Sequence, residues 1–144
     1  EDYFYKRLKD AVRQAGLSGC VLFPGFVPDE DLGCLYREAE AYIFPSLYEG
    51  FGLPPLEAMQ HGCPVLSSDR ASMPEILGDA AFYFDPENIQ SMHKAINTIS
   101  SDPVLRQNLV DKGFSRSARY NWDKCAQQTL GVYKNAVTPD IPSV

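Results

Sequence analysis

This 144-residue sequence has little histidine, fewer basic than acidic side chains and no patterned cysteine. Its two histidines are His61 and His93, and its four cysteines, Cys20, Cys34, Cys63 and Cys125, are widely and irregularly spaced with no C-x-x-C pair. That argues against a zinc site and against a disulfide scaffold, and points to reduced, mostly buried thiols in a cytoplasmic protein. Lys and Arg number 13 against 19 Asp and Glu, for a net charge of −6, and no basic cluster builds a nucleic-acid-binding face. The run Lys6-Arg7-Leu8-Lys9 reads as the solvated side of a helix. No apolar run approaches the roughly 18 to 20 residues of a membrane span. The chain opens Glu1-Asp2-Tyr3, with no signal peptide and no methionine, and so reads as a piece of something longer. With so few cations, a phosphate ligand must be held by backbone dipoles or by charges from elsewhere.

What is present suits one globular domain: 44% hydrophobic and 22% charged residues. Phe4, Leu8, Ala11, Val12 and Ala15 recur at helical spacing and predict a helix over 3–15, stopped by Gly16 and Gly19. An apolar run over 20–23 predicts a buried strand, broken by Pro24-Gly25. Pro28-Asp29-Glu30-Asp31 supplies a cap and an acidic first turn for a helix reaching about residue 40. There follow a strand over 41–44, a Gly/Pro-rich loop over 45–55, a short helix over 56–60 capped by Gly62, a strand over 64–67, a helical turn over 72–77 and a strand over 81–84. Asp85-Pro86 and Asp102-Pro103 open two more helices, and Asn121-Trp122-Asp123 opens a last one reaching Tyr133. All four strands are short continuous apolar runs, the mark of a parallel sheet buried on both faces, so the fold class is α/β, doubly wound and Rossmann-like. The domain is expected over 1–136, with a disordered tail over 137–144 that carries Pro139 and Pro142.

The chemistry is expected in the loop that leaves the second strand. Ligands of open α/β sheets bind at the carboxyl ends of strands. Gly50 and Gly52 let the backbone approach a ligand, and their amides lie beside a helix N-terminus that favours an anion. Glu57 is placed in the first turn of that helix, where the dipole favours negative charge and two carboxylate oxygens can accept from the paired hydroxyls of a ribose. Glu49, eight positions earlier, faces the same pocket from the other side. On spacing alone, plain capping serves as well as a ligand site. His61 fits a C-terminal cap, His93 a solvated position, and Tyr48 either a pocket wall or a packed aromatic.

The run Glu49-Gly50-Phe51-Gly52-Leu53-Pro54-Pro55-Leu56-Glu57-Ala58-Met59, followed by Gly62-Cys63-Pro64-Val65, resembles the E-x7-E signature of retaining glycosyltransferases of the GT-B fold, closest to the large family four, the glycosyl transferases group 1. Phe23-Pro24-Gly25-Phe26-Val27, Leu35-Tyr36-Arg37-Glu38-Ala39, Ser67-Ser68-Asp69, Pro74-Glu75, Gly78-Asp79-Ala80 and Trp122 extend the likeness to nearly the whole chain. The resemblance implies transfer of a sugar from a nucleotide-diphosphate donor to an acceptor hydroxyl on a sugar, lipid or other compound. Anomeric configuration is retained, and no metal or other cofactor is needed. It gives Glu57 the ribose and Glu49 the donor sugar, as a positioning and electrostatic group of the catalytic site. Donor contacts also fall on the amides of Gly50, Phe51, Gly52 and Leu53, on Leu56 beside the ribose, and on Phe26 and Val27 at the base. Pro74-Glu75 receives no firm role. The run 44–52 resembles mannosyltransferases that use GDP-mannose and is compatible with UDP- or ADP-sugars.

The same resemblance exposes what has no counterpart. The family pairs two such domains, with the acceptor held mainly by the N-terminal one. Its second domain opens with two strands whose Arg and Lys clamp the donor diphosphate. The chain is therefore expected to be a C-terminal half truncated on its N-terminal side, inactive alone, with an exposed sheet edge. It is expected to pair with the missing N-terminal domain or with another copy, in a cytoplasmic protein peripheral at the membrane. Two other readings stay open: an epimerase acting on a nucleotide sugar, which needs acid/base groups beyond those seen, and a non-catalytic nucleotide-sugar-binding module.

Overall fold

The computed structural model describes residues 3–137. They divide into two compact units between Leu32 and Gly33. In the first, helix α1 (Tyr3–Gln14) ends as expected at Gly16, whose φ of 71° is left-handed. The Tyr5 ring meets the edge of Phe23 at 5.7 Å, with the Lys9 ammonium 4.4 Å from the Tyr5 centroid. The strand expected over 20–23 does not form. Cys20 and Val21 donate their amides to the Leu17 carbonyl at 2.9 and 3.1 Å, which commits the start of the segment to a turn. Helix α2 (Asp29–Glu38), within which the boundary falls, opens with Asp29, Glu30 and Asp31 in its first turn, against the positive end of the dipole.

In the second unit, strands β1 (Tyr42–Phe44), β2 (Val65–Ser68) and β3 (Ala81–Phe84) form one parallel sheet in the order β1-β2-β3. Tyr42 is opposite Val65, and Val65 opposite Ala81. Parallel neighbours need crossovers, and the helices supply them: α3 (Leu53–Gln60) from β1 to β2, and α4 (Met73–Leu77) with a 3-10 turn (Gly78–Ala80) from β2 to β3. Three more helices follow: α5 (Ile89–Ser101), α6 (Pro103–Ser117) and α7 (Trp122–Val137). All four residues of β2 are buried, as a central strand covered on both faces requires, although only Val65 and Leu66 are apolar and Ser67 and Ser68 are buried hydroxyls. Leu66, Phe84, Ala95, Ile99 and Leu109 join β2, β3, α5 and α6 in one core, with Phe82, Met92 and Leu105 packed against it. Each large side chain buried there contributes about 1.5–3 kcal/mol.

Several element ends differ from the sequence reading for local reasons. Helix α3 begins at Leu53, three residues early, because Pro54 and Pro55 sit in the first turn, where a missing N–H costs nothing. Helix α5 starts at Ile89, not at Asp85-Pro86. Asn88 is its cap, accepting the Gln90 and Ser91 amides, while Asp85 is engaged by Arg70. Asp102 caps α6 through the Leu105 amide at 2.8 Å, with Pro103 behind it. Helix α7 runs past the expected end at Tyr133 to Val137, and the rest of the expected tail, 138–144, lies outside the described residues.

The thiols correct another expectation. All four cysteines are free, yet only Cys63 is buried; Cys20, Cys34 and Cys125 are exposed. Burial pushes the Cys63 thiol up to about 11, partly offset by its hydrogen bond with the Tyr42 backbone. Brief alkylation at neutral pH should label the three exposed cysteines and spare Cys63, as read by peptide mass spectrometry. Labelling of Cys63 at the same rate would contradict its packing.

Helix α4 is only five residues long and is held at its end by another element. Arg116 on α6 donates Nε to the Ile76 carbonyl at 2.7 Å and Nη2 to the Glu75 carbonyl, while the Tyr120 hydroxyl donates to Ile76 at 3.1 Å. Arg116→Ala strips two charged donors from carbonyls at a helix end. It should lower unfolding free energy by about 1–3 kcal/mol in urea titration, and a stability unchanged within error would show that water replaces them.

Candidate functional site

The parallel sheet brings the carboxyl ends of β1, β2 and β3 to one side. There the chain leaves Phe44 and loops to α3 through Glu49. The loop is tied down from below. Ser68, fully buried at the end of β2, donates Oγ to the Ser46 carbonyl at 2.6 Å. Ser46 in turn donates Oγ toward Glu49 Oε1 at 3.0 Å. Ser72, just before α4, has its Oγ 2.9 Å from the Glu49 carbonyl, to which it donates, and 3.3 Å from the Phe51 carbonyl. Arg70 is held by Asp69 at 2.9 Å, Asp85 at 2.7 Å and Glu87 at 3.7 Å, and Ala71 takes a left-handed φ of 50°.

The two glycines of the loop differ in kind. Gly52 is buried with φ 101°, and a Cβ there would lie 2.5 Å from Met73 Cε. Only glycine suits that conformation. Gly50 is exposed, has no positive φ, and has nothing within 4 Å of a Cβ position, so it leaves open space above the loop.

Beside the loop and α3 lies a cavity of about 510 Å3. Phe51, Leu53, Leu56 and Glu57 line one wall, although Leu56, at 3% exposure, offers only an edge. Arg119, Tyr120, Trp122 and Lys124, from the junction of α6 and α7, line the other. Phe51 meets Tyr120 edge to face at 5.4 Å, which fixes where loop and junction touch. Burial pushes the Tyr42 phenol on β1 up to about 12, with smaller contributions from Tyr36, Glu57, Cys63 and Glu49.

Of the expected donor residues on this loop and helix, Phe51, Leu53, Leu56 and Glu57 line the cavity, whereas Glu49, Gly50 and Gly52 are not among its lining residues, so Glu49 does not share that cavity wall with Glu57 as expected. Phe26 and Val27 belong to the first unit, Phe26 being 90% exposed and Val27 half-buried. Glu57 is the fifth residue of α3, because the helix starts early, and so lies beyond the first turn where it was expected. The helix N-terminus is also narrower as an anion site than the sequence suggested. Of its four leading positions, Gly52 to Pro55, two are prolines without an N–H, which leaves the Gly52 and Leu53 amides. The cavity instead carries Arg119 and Lys124, which the sequence reading did not select because they are isolated in the chain and form no cluster. Tyr48 is 83% exposed and not packed. His61 caps α3 and stacks on Tyr36 at 5.9 Å, and His93 is exposed. Among the described residues, no group of three or more His, Cys, Asp or Glu is placed to hold a metal ion, and no helix is long and apolar enough to cross a membrane.

Three comparisons bear on this geometry. The family model described as glycosyl transferases group 1 matches residues 4–116. O-antigen chain mannosyltransferase B of Escherichia coli is 38% identical over 123 residues, which are 85% of this chain and 32% of that protein. The chain thus spans about a third of the length of that relative. Among solved structures, sucrose-phosphate synthase from Thermosynechococcus elongatus superposes with a TM-score of 0.83 at 29% identity, covering 92% of this chain and 34% of that one. The C-terminal domain of a glycosyl transferase group 1 family protein from Francisella tularensis superposes at 0.70 with 31% identity, covering 81% of this chain and 61% of that one.

Proposed function

The chain belongs to the glycosyl transferases group 1 family, its parallel α/β fold being half of a GT-B fold, and from that premise we propose that it forms the donor site of a retaining glycosyltransferase. The donor is a nucleotide-diphosphate sugar, GDP-mannose before UDP- or ADP-sugars. The acceptor is a hydroxyl compound bound outside this chain. The observation that carries the reading is the gathering of Phe51, Leu53 and Glu57 on one cavity, directly after the loop that holds Glu49.

In this reading Glu57 accepts hydrogen bonds from the ribose hydroxyls and Glu49 meets hydroxyls of the sugar. The leaving diphosphate is met by the Gly52 and Leu53 amides and, from across the cavity, by Arg119 and Lys124. Fixed dipoles and cations aimed at a developing negative charge lower the barrier without reorganisation. Glu49 acts as a positioning and electrostatic group. No residue is assigned as a nucleophile, and no metal takes part. The likeness to a mannosyltransferase at 38% identity supports mannose as the sugar transferred.

The test is a screen of GDP-, UDP- and ADP-sugars against the intact protein, with the anomer of the product read by NMR. Transfer from GDP-mannose with the donor's configuration kept is the expected result. The opposite anomer would end the retaining part of the reading. A changed nucleotide sugar formed without any acceptor would identify an epimerase.

A further inference from the structure

Three serines hold the loop that carries Glu49, and they come from three separate segments. Ser46 is half-buried and follows β1; its hydroxyl lies 3.0 Å from Glu49 Oε1 and 3.3 Å from the Tyr48 carbonyl. A hydroxyl has one proton to give, and the shorter bond, to an acidic oxygen, is the stronger. Ser46 is itself fixed, since its carbonyl accepts the Oγ of buried Ser68. Ser72, also half-buried, donates its one proton to the Glu49 carbonyl at 2.9 Å, with the Phe51 carbonyl 3.3 Å away, and so holds the backbone beside Gly50. The chain presents Ser72 through Ala71, an alanine held left-handed, and Arg70 is anchored by three carboxylates. Backbone strain of this kind persists only where its surroundings enforce it.

We propose that Ser46 and Ser72 are positioning residues for sugar transfer: Ser46 orients the Glu49 carboxylate through Oε1, and Ser72 fixes the backbone that carries it. The proposal rests on the donor-site reading above. A glutamate side chain has three rotatable bonds, and ordering it at each turnover costs entropy. A hydroxyl that holds it beforehand removes that cost from the reaction and leaves Oε2 for the sugar. Ser72 does the same for the main chain, so that the amides around Gly50 stay fixed without a side chain of their own.

The test measures kcat and donor KM in the intact protein for Ser46→Ala, Ser72→Ala and Glu49→Ala, and for each serine change combined with Glu49→Ala. Ser46→Ala and Ser72→Ala should each lower kcat by about tenfold with donor KM changed by less than about twofold. Ser46→Thr and Ser72→Thr, which keep the hydroxyl, should recover most of it. In the Glu49→Ala background, Ser46→Ala should add nothing, because its partner is gone. Ser101→Ala, which removes an exposed hydroxyl bonded to the Asn97 carbonyl at the end of α5, should leave kcat unchanged. Unchanged kcat in both serine variants, or an effect of Ser46→Ala that persists in full without Glu49, overturns the proposal. A kcat loss that merely follows a fall in melting temperature, and that threonine does not rescue, also overturns it. If Glu49→Ala itself leaves kcat intact, the donor-site reading fails and this proposal falls with it. A collapse in Glu49→Ala beside unaffected serine variants overturns this proposal alone.

Discussion

Glu57→Ala in the intact protein should weaken binding of the donor nucleotide about ten- to a hundredfold by titration calorimetry, since hydrogen bonds to a charged group contribute about 1.5–3 kcal/mol. The change should leave folding almost untouched. Glu57 is exposed on α3 and holds none of the neighbouring elements together. The loss should appear in donor affinity and KM more than in kcat, because the ribose is held alike before and during transfer. Glu57→Gln should fall between, as an amide keeps one acceptor oxygen. Unchanged affinity in Glu57→Ala, with the protein folded, would remove the ribose assignment and with it the main support for the cavity as a donor site.

Gly52→Ala should be the most damaging single methyl in the loop. The residue has φ 101°, and the added carbon would meet Met73 Cε at 2.5 Å, where Met73 is 1% exposed. A left-handed alanine of this kind costs about 1–3 kcal/mol, and moving a buried methionine adds to it. Urea titration should show that loss, and donor binding should fall because the strained position directly precedes Leu53. Gly50→Ala is the informative partner. Its Cβ meets nothing within 4 Å, so the variant should fold normally and lose donor affinity alone. Equal stability losses in the two variants would contradict the separation of a backbone glycine from a clearance glycine.

The sequence made the fold legible where its signals were local. Apolar runs announced β1 and β3 and the first half of β2, and the capping Asp102-Pro103 placed α6. It failed at 20–23, where an apolar run looks like a strand but the amides of Cys20 and Val21 bond back to Leu17. Composition also misled over the cysteines, since Cys34 and Cys125 lie on exposed sides of helices. The loop around Glu49 was legible because its residues are contiguous. The serines beneath it and the cations beside it were not. Ser72 is 23 residues from Glu49, and nothing in the pattern of Arg119 or Lys124 points toward Glu57. Contacts of that range belong to tertiary structure, and only the parallel pairing of β1 with β2 brings the serines beneath the loop.

That range sets an order of assembly. The hydrogen bonds that shape the Glu49 loop come from Ser68 and Ser72, which are 22 residues downstream of Ser46 and 23 downstream of Glu49 respectively. During synthesis the loop is made before either serine, so these two hydrogen bonds form only once β2 and the residues after it are present. Closing such a separation costs chain entropy before the contacts it brings can offset it. The loop geometry therefore depends on residues made after it, and a nascent chain stopped before Ser72 carries both glutamates without the Ser72 hydrogen bond to the Glu49 carbonyl.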